Sequence, residues 1–105
     1  DVYKRQLTMS AFPCVLRRRG VAHQIRRASA SIPANISEGY GRKSRNEYIQ
    51  FLYIAQGSLK ELETHLLLSK RVKLASSEVI DPLLIQCESV GRLLTGLIRA
   101  LENKK

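Results

Sequence analysis

Five cationic side chains in the first half of the chain offer chemistry suited to phosphate groups: Arg26, Arg27, Arg42, Lys43 and Arg45. Arginine can donate two hydrogen bonds at once to a phosphate, and a turn that leads into a helix adds free backbone N–H groups that favour anions. Because Gly39 and Gly41 lie between the two groups, we expect the turn to fold back and bring all five cations together. The pattern predicts a nucleic-acid contact; the alternative is that Arg26 or Arg27 pairs with Glu38 or with a neighbouring chain.

A second basic run, Arg17, Arg18 and Arg19, precedes these residues, so the charge is concentrated in one part of the chain. Residues 14–45 contain eight basic side chains and one acid, Glu38, and hold +7 of the formal net charge of +9. Such a block favours polyanions, either nucleic acid or an acidic protein surface. Tyr40 beside it is either a base-stacking residue or a tyrosine that packs over a helix end. A merely solvated face is the alternative for the whole block.

An enzymatic interpretation rests on Arg18 and His23, which fit the R-x4-H pattern of helical ribonucleases of the HEPN type. The pattern is short, an arginine-rich stretch produces it by chance, and here we expect it at a helix start. The polar residue that usually follows the arginine is also missing. His65 lies on a mostly apolar helix, which is typical of a hydrogen-bonded edge residue. Cys14 and Cys87 lack metal-type spacing, so we predict no catalytic residue, no metal and no cofactor.

Residues 21–38 predict the first clear helix, because apolar residues recur there at a spacing of three to four. They are Ile25, Ala28, Ile32 and Ile36. Pro33 interrupts this stripe and predicts a bend, and we expect Gly39 and Gly41 to end the helix in the left-handed conformation. Residues 14–20 are predicted to be a loop or a frayed turn. Residues 7–12 are predicted to be the end of an earlier helix that Pro13 stops.

Ser44 and Glu47 form a predicted capping box at the start of a long helix over residues 44–72. A heptad seam runs along it, formed by Tyr48, Leu52, Ala55, Leu59, Leu62 and Leu66. Further apolar residues widen this face, so more than one partner helix must cover it. Asn35 and Glu38 lie near the stripe of the preceding helix, where polar groups usually form a satisfied internal network. We therefore assign them, with Pro33, structural roles.

The last predicted helix covers residues 77–102 and carries a second seam of the same period. That seam is formed by Ile80, Leu83, Cys87, Val90, Leu94, Leu97 and Leu101. Ser76 or Ser77 is a suitable N-cap, but Asp81 followed by Pro82 is an equally good start, and the pattern leaves both open. The short connection predicts that the two seam helices are antiparallel neighbours.

The chain of 105 residues is 44% hydrophobic and has no Trp, which predicts one domain with an aliphatic core. We expect an all-α, antiparallel up-and-down bundle. Asp1–Gln6 begins without Met and looks like an adapter-derived scar, which leaves residues 7–105 as the domain. The alternatives are a true start at Met9 or a native segment. No apolar run approaches the ~20 residues of a membrane span. We therefore expect no membrane partner, a cytoplasmic location and reduced cysteines.

Several motifs resemble the four-helix-bundle proteins encoded in intervening sequences of bacterial 23S ribosomal RNA genes, a family that includes accessory variability proteins of diversity-generating retroelements. The motifs are Gln24–Ala28, Ser31–Ile36 with Glu38 and Gly39, Glu47–His65, and Gly96–Arg99. The resemblance covers roughly residues 12–101. It implies an up-and-down four-helix bundle, a basic homopentamer, association with structured RNA and, in retroelements, with a reverse transcriptase. It implies no catalytic activity.

The chain departs from this family in one respect, because the first helix is largely missing from the sequence. That departure agrees with the adapter interpretation of residues 1–6 and leaves the seams without one covering neighbour. The sequence therefore predicts a non-catalytic, basic helical-bundle protein that binds RNA or a ribonucleoprotein. A protein-interaction scaffold whose basic face meets an acidic protein, for example an accessory subunit of a retroelement reverse transcriptase, is the alternative.

Overall fold

The computed structural model describes residues 14–104 of the chain, with side chains from residue 18 onward. It contains three helices: α1 (Cys14–Tyr40), α2 (Arg45–Arg71) and α3 (Ser77–Glu102). The described residues form no strand, which confirms the all-α class. The predictions for residues 1–6 and 7–12 lie outside the described residues. None of the helices in the described range is both long and apolar enough to cross a membrane.

Helix α1 begins seven residues earlier than predicted. Residues 14–20 are helical, so the predicted loop or frayed turn is wrong. The physical reason is that Arg and Leu are good helix formers, and one interior glycine, Gly20, costs only about 1 kcal/mol against Ala. Pro33 lies inside α1, which continues for seven residues beyond it.

The glycines near the end of α1 do not act as predicted. No glycine among the described residues has a positive φ, so the expected left-handed stop at Gly39 and Gly41 is wrong. Gly39 is helical, and a Cβ on it would lie 2.6 Å from Phe51 Cβ and 3.0 Å from Tyr48 Cδ1. Glycine is therefore needed here because α1 and α2 approach closely, and not for its backbone freedom.

A left-handed residue instead ends α2. Lys73 has φ 62°, its N–H donates to Lys70 O, and Leu74 N–H donates to Ser69 O. These two bonds are the pair that defines a Schellman motif. The motif reverses the chain into a short connection to α3, whose N-cap is Ser76. Of the two starts that the sequence leaves open, the structure therefore has the earlier one, with Pro82 inside α3.

Helix α2 lies between the other two helices, and both pack against it antiparallel. Ser31 of α1 contacts Ser58 of α2, whereas α1 and α3 hardly touch each other. The seam of α2 supplies the centre of the core, because Leu52, Ala55, Leu59 and Leu66 are buried. Three residues of the predicted α3 seam pack against them: Ile80, Cys87 and Leu94. Ile98, which was not part of the predicted seam, is also buried there. The two predicted seams thus pack against each other.

An apolar groove of about 370 Å³ remains open between α1 and α3, floored by α2. Its walls include Ile25 and Ile32 of α1 and Leu83 and Val90 of α3. On the same side of α3, Leu93 is 74% exposed. The three described helices thus leave one side of the bundle without a covering element.

Candidate nucleic-acid interface

The side of α1 that points away from the core carries a row of exposed cations. Arg19, Arg26 and Arg27 are exposed, and spacings of seven and eight residues put them on one side of a helix. Ala28 and Ile32, on the other side, are buried against α2. None of the three arginines forms an ion pair with a described residue. Residues 14–37 contain no acid. We call these three residues the outer arginine face.

The five cations predicted to form one patch lie in two separate places. Helix α1 continues for thirteen residues beyond Arg27 before it ends at Tyr40, which is about 20 Å of helix. The turn with Arg42, Lys43 and Arg45 therefore lies at the end of the bundle and does not fold back beside Arg27. The prediction of a single patch is wrong because α1 remains helical through Pro33 and Gly39.

Arg42 is engaged by neighbouring side chains of the turn. Its Nη2 donates to Glu38 Oε1 at 2.6 Å, and its guanidinium lies 5.0 Å from the centroid of the Phe51 ring. Glu47 Oε2 is 4.0 Å from Arg42 Nε. Glu38 is therefore an exposed ion-pair partner and not the member of an internal network that we predicted. The alternative pairing of Glu38 with Arg26 or Arg27 is not observed.

The capping box at the start of α2 is only half formed. Ser44 is the N-cap residue, and its Oγ accepts from the backbone N–H of Glu47 at 3.4 Å. The Glu47 carboxylate approaches Arg42 instead of returning to the backbone N–H of Ser44. A guanidinium within reach of the carboxylate competes with the reciprocal bond, which sequence spacing alone does not reveal.

Arg45 connects the start of α2 to the end of α3. Its Nη1 donates to the backbone carbonyls of Leu101 and Lys104. These carbonyls belong to the last turn and the C-terminal end of α3, where helices lack internal donors and favour cations. Arg45 is therefore a structural residue in this fold. Lys43 is exposed and forms no ion pair with a described residue, so it is the cation of the turn that remains available to an anion.

The basic run before these residues also belongs to α1. Arg18 and Arg19 are exposed, while the side chain of Arg17 lies outside the described part. Arg18 and His23 of the R-x4-H pattern lie within α1 and not at a helix start as we expected. Arg18 and His23 are five residues apart, so their side chains leave the helix in directions that differ by about 140°. Arg19, one residue on, shares the side of the helix with His23.

Asn35 forms an internal polar network with residues that the sequence analysis missed. Its Nδ2 donates to Ser31 O at 2.8 Å and Ser31 Oγ at 2.9 Å. Ser31 Oγ is 2.7 Å from the buried Ser58 Oγ, so the network joins α1 to α2. It does not reach the carbonyl of Ser29, which is the one that Pro33 leaves without its helical donor. Ser31 and Ser58 lie inside two different predicted helices, and nothing in the sequence pattern indicates that they pair.

Tyr40 packs over the end of α1, which is one of the two roles considered for it. Its ring packs edge-on against Tyr48 with the ring centroids 6.0 Å apart, while 78% of its surface remains exposed. It lies about 20 Å along α1 from Arg27, so it is not part of the outer arginine face.

A groove of about 680 Å³ lies between α2 and α3 and contains none of the predicted site residues. Tyr53 on its rim donates to Glu102 at 2.9 Å, and this bond raises the pKa of the phenol. Burial, followed by the charge of Glu63, raises the pKa of the Cys87 thiol, which keeps it protonated and weakly reactive. The described residues include no cluster of three or more side chains suited to a metal ion.

The model of the family described as 23S rRNA-intervening sequence protein matches residues 1–96. A search of curated proteins finds no match. The family match spans most of the chain, including α1, α2 and the greater part of α3. The chain therefore belongs to the 23S rRNA-intervening sequence protein family.

Proposed function

We propose that this protein is a non-catalytic RNA-binding protein that contacts phosphates through the outer arginine face. The observation that carries the proposal is the exposure of Arg19, Arg26 and Arg27 on one side of α1, in a stretch without a single acid. Intramolecular ion pairs do not neutralise these charges within the described structure, in contrast to Arg42. The family description, which names an intervening sequence of 23S rRNA, supports RNA as the polyanion.

The remaining cations contribute to RNA binding to different extents. Lys43 and Arg18 are exposed and add to the attraction of a polyanion, and Arg17 belongs to the same basic run as Arg18. Arg42 and Arg45 mainly stabilise the end of the bundle, because their guanidiniums already have protein partners. The binding is expected to be independent of RNA sequence, since contacts to phosphates position a protein without reading bases.

The assembly implied by the family resemblance is a second part of the proposal. The open groove between α1 and α3 has the apolar walls that a fourth helix of an up-and-down bundle needs. A covering helix would also bury Leu93 and Leu97, which are 74% and 36% exposed. A homopentamer would repeat the outer arginine face around a ring and raise the avidity for a long RNA. We propose the cytoplasm as the location of this assembly.

Salt-dependent RNA binding by charge-matched variants tests the function. In Arg26→Gln/Arg27→Gln the outer arginine face loses two charges, and the slope of log affinity against log salt should fall by about 1.4 to 1.8. In the control, Arg92→Gln/Arg99→Gln, two exposed charges are lost from α3, which hardly touches α1. We expect the control to bind almost like the parent. Equal losses in both variants would show that only net charge matters and would overturn the assignment of the face.

The same variants, tested for retention of a partner protein as well as for RNA binding, distinguish the alternative function from RNA binding. A scaffold whose basic face meets an acidic protein, such as a reverse transcriptase, uses the same arginines but needs no RNA. The parent protein would then fail to bind RNA at physiological salt, while a partner protein would still be retained in a manner that depends on Arg26 and Arg27.

A further inference from the structure

The outer arginine face offers charge but almost no aromatic surface on which a base can stack. Residues 14–39 of α1 contain no Phe, Tyr or Trp, and the small residues Ala30 and Ala34 occupy the exposed side beyond Arg27. His23 supplies the single ring among the arginines. The exposed aromatic residues elsewhere in the described structure, Tyr40 and Tyr53, lie at the end of α1 and beside α3.

Single-stranded RNA is normally bound by surfaces of the opposite kind. Unpaired bases stack on aromatic side chains, and each stacked base contributes about 1–3 kcal/mol. Duplex RNA hides its bases and is recognised through its shape, its phosphates and its 2′-hydroxyls. A face of guanidiniums and small side chains therefore lacks the aromatic rings that supply much of the affinity for unpaired strands, and it keeps the phosphate contacts that bind a duplex.

The spacing of the arginines is also rigid. Helix α1 is held against α2 by the buried residues Ala28 and Ile32, so the backbone positions of Arg19 and Arg26 remain about 10 Å apart along the axis. The phosphates of a duplex are likewise held in a fixed array. A flexible strand has to be ordered before it matches such an array, and that ordering reduces its affinity.

We infer that the preferred ligand of the outer arginine face is double-stranded RNA, bound through its backbone without base readout. This inference rests on the proposed RNA-binding function and specifies the class of RNA. It predicts that a change of base-pair sequence leaves the affinity unchanged. It also predicts that an unpaired strand with the same number of phosphates binds more weakly than the duplex.

The test compares an RNA duplex with an unstructured poly-uridine strand that carries the same number of phosphates. At fixed salt, the parent protein should bind the duplex at least about tenfold more tightly, which corresponds to about 1.4 kcal/mol. A second duplex of shuffled sequence should bind like the first. Arg26→Gln/Arg27→Gln should lose most of the affinity for both duplexes, while Arg92→Gln/Arg99→Gln should retain it.

Three results would overturn the inference, and they differ in what they say about the function. Equal or tighter binding of poly-uridine that depends on Arg26 and Arg27 would refute the duplex preference and leave RNA binding in place. Duplex binding that Arg26→Gln/Arg27→Gln does not weaken would refute both the preference and the site. Binding of neither RNA by the parent would refute the function itself.

Discussion

Replacement of Gly39 by Ala tests a close contact between α1 and α2. The new Cβ would lie 2.6 Å from Phe51 Cβ and 3.3 Å from the backbone oxygen of Tyr48. Phe51 Cβ is attached directly to the backbone of α2, so rotation of the side chain cannot move it away. The two helices would have to separate, and the contacts next to the turn would loosen.

The magnitude follows from two opposing terms. Ala gains about 1 kcal/mol over Gly inside a helix, whereas overpacking a tight contact costs typically about 1–3 kcal/mol. We therefore expect Gly39→Ala to lower the free energy of unfolding by up to about 2 kcal/mol. Gly96→Ala is the matched control, because no atom lies within 4 Å of its new Cβ in the described structure. It should raise the free energy of unfolding by about 0.5–1 kcal/mol.

Urea unfolding followed by circular dichroism measures both variants. The midpoint should move in opposite directions with similar slopes, since the slope reports the surface exposed on unfolding. If both substitutions stabilise the protein equally, α1 and α2 are not in close contact at Gly39, and our explanation of this glycine is wrong.

Four further predictions follow from the described contacts. Arg45→Gln should fray the last turn of α3, seen as faster amide hydrogen exchange there; unchanged exchange would show that the bonds to the carbonyls are not formed in solution. Ser31→Ala should cost about 1–3 kcal/mol, because it leaves the hydroxyl of buried Ser58 without its partner, and the double variant with Ser58→Ala should recover much of the loss; additive losses would contradict this. His23→Ala should leave any ribonuclease activity of the preparation unchanged, and specific loss of RNA cleavage would overturn the non-catalytic assignment. A family first helix placed before Leu7 should stabilise the domain and yield a defined oligomer by light scattering, whereas a stable monomer with and without it would argue against the bundle.

Periodicity in the sequence was sufficient to predict the packing of α2 against α3. Leu52, Leu59 and Leu66 on one helix and Ile80 and Leu94 on the other are buried, because a heptad spacing forces these side chains onto one side of each helix. The short connection then leaves an antiparallel arrangement as the only solution. The N-cap role of Ser44 is equally local, since it depends on residues within one turn of helix.

The placement of the charges depended on contacts between distant segments. Spacing could not show that α1 continues past Gly39, because that glycine is explained by Phe51 on another helix. Nor could it show that Arg45 reaches the end of α3, which lies 56 residues later in the chain at Leu101. Local sequence determines which residues form a helix and which side of it is apolar. Which exposed cations remain available to a ligand depends on the tertiary structure, because their partners come from elsewhere in the chain.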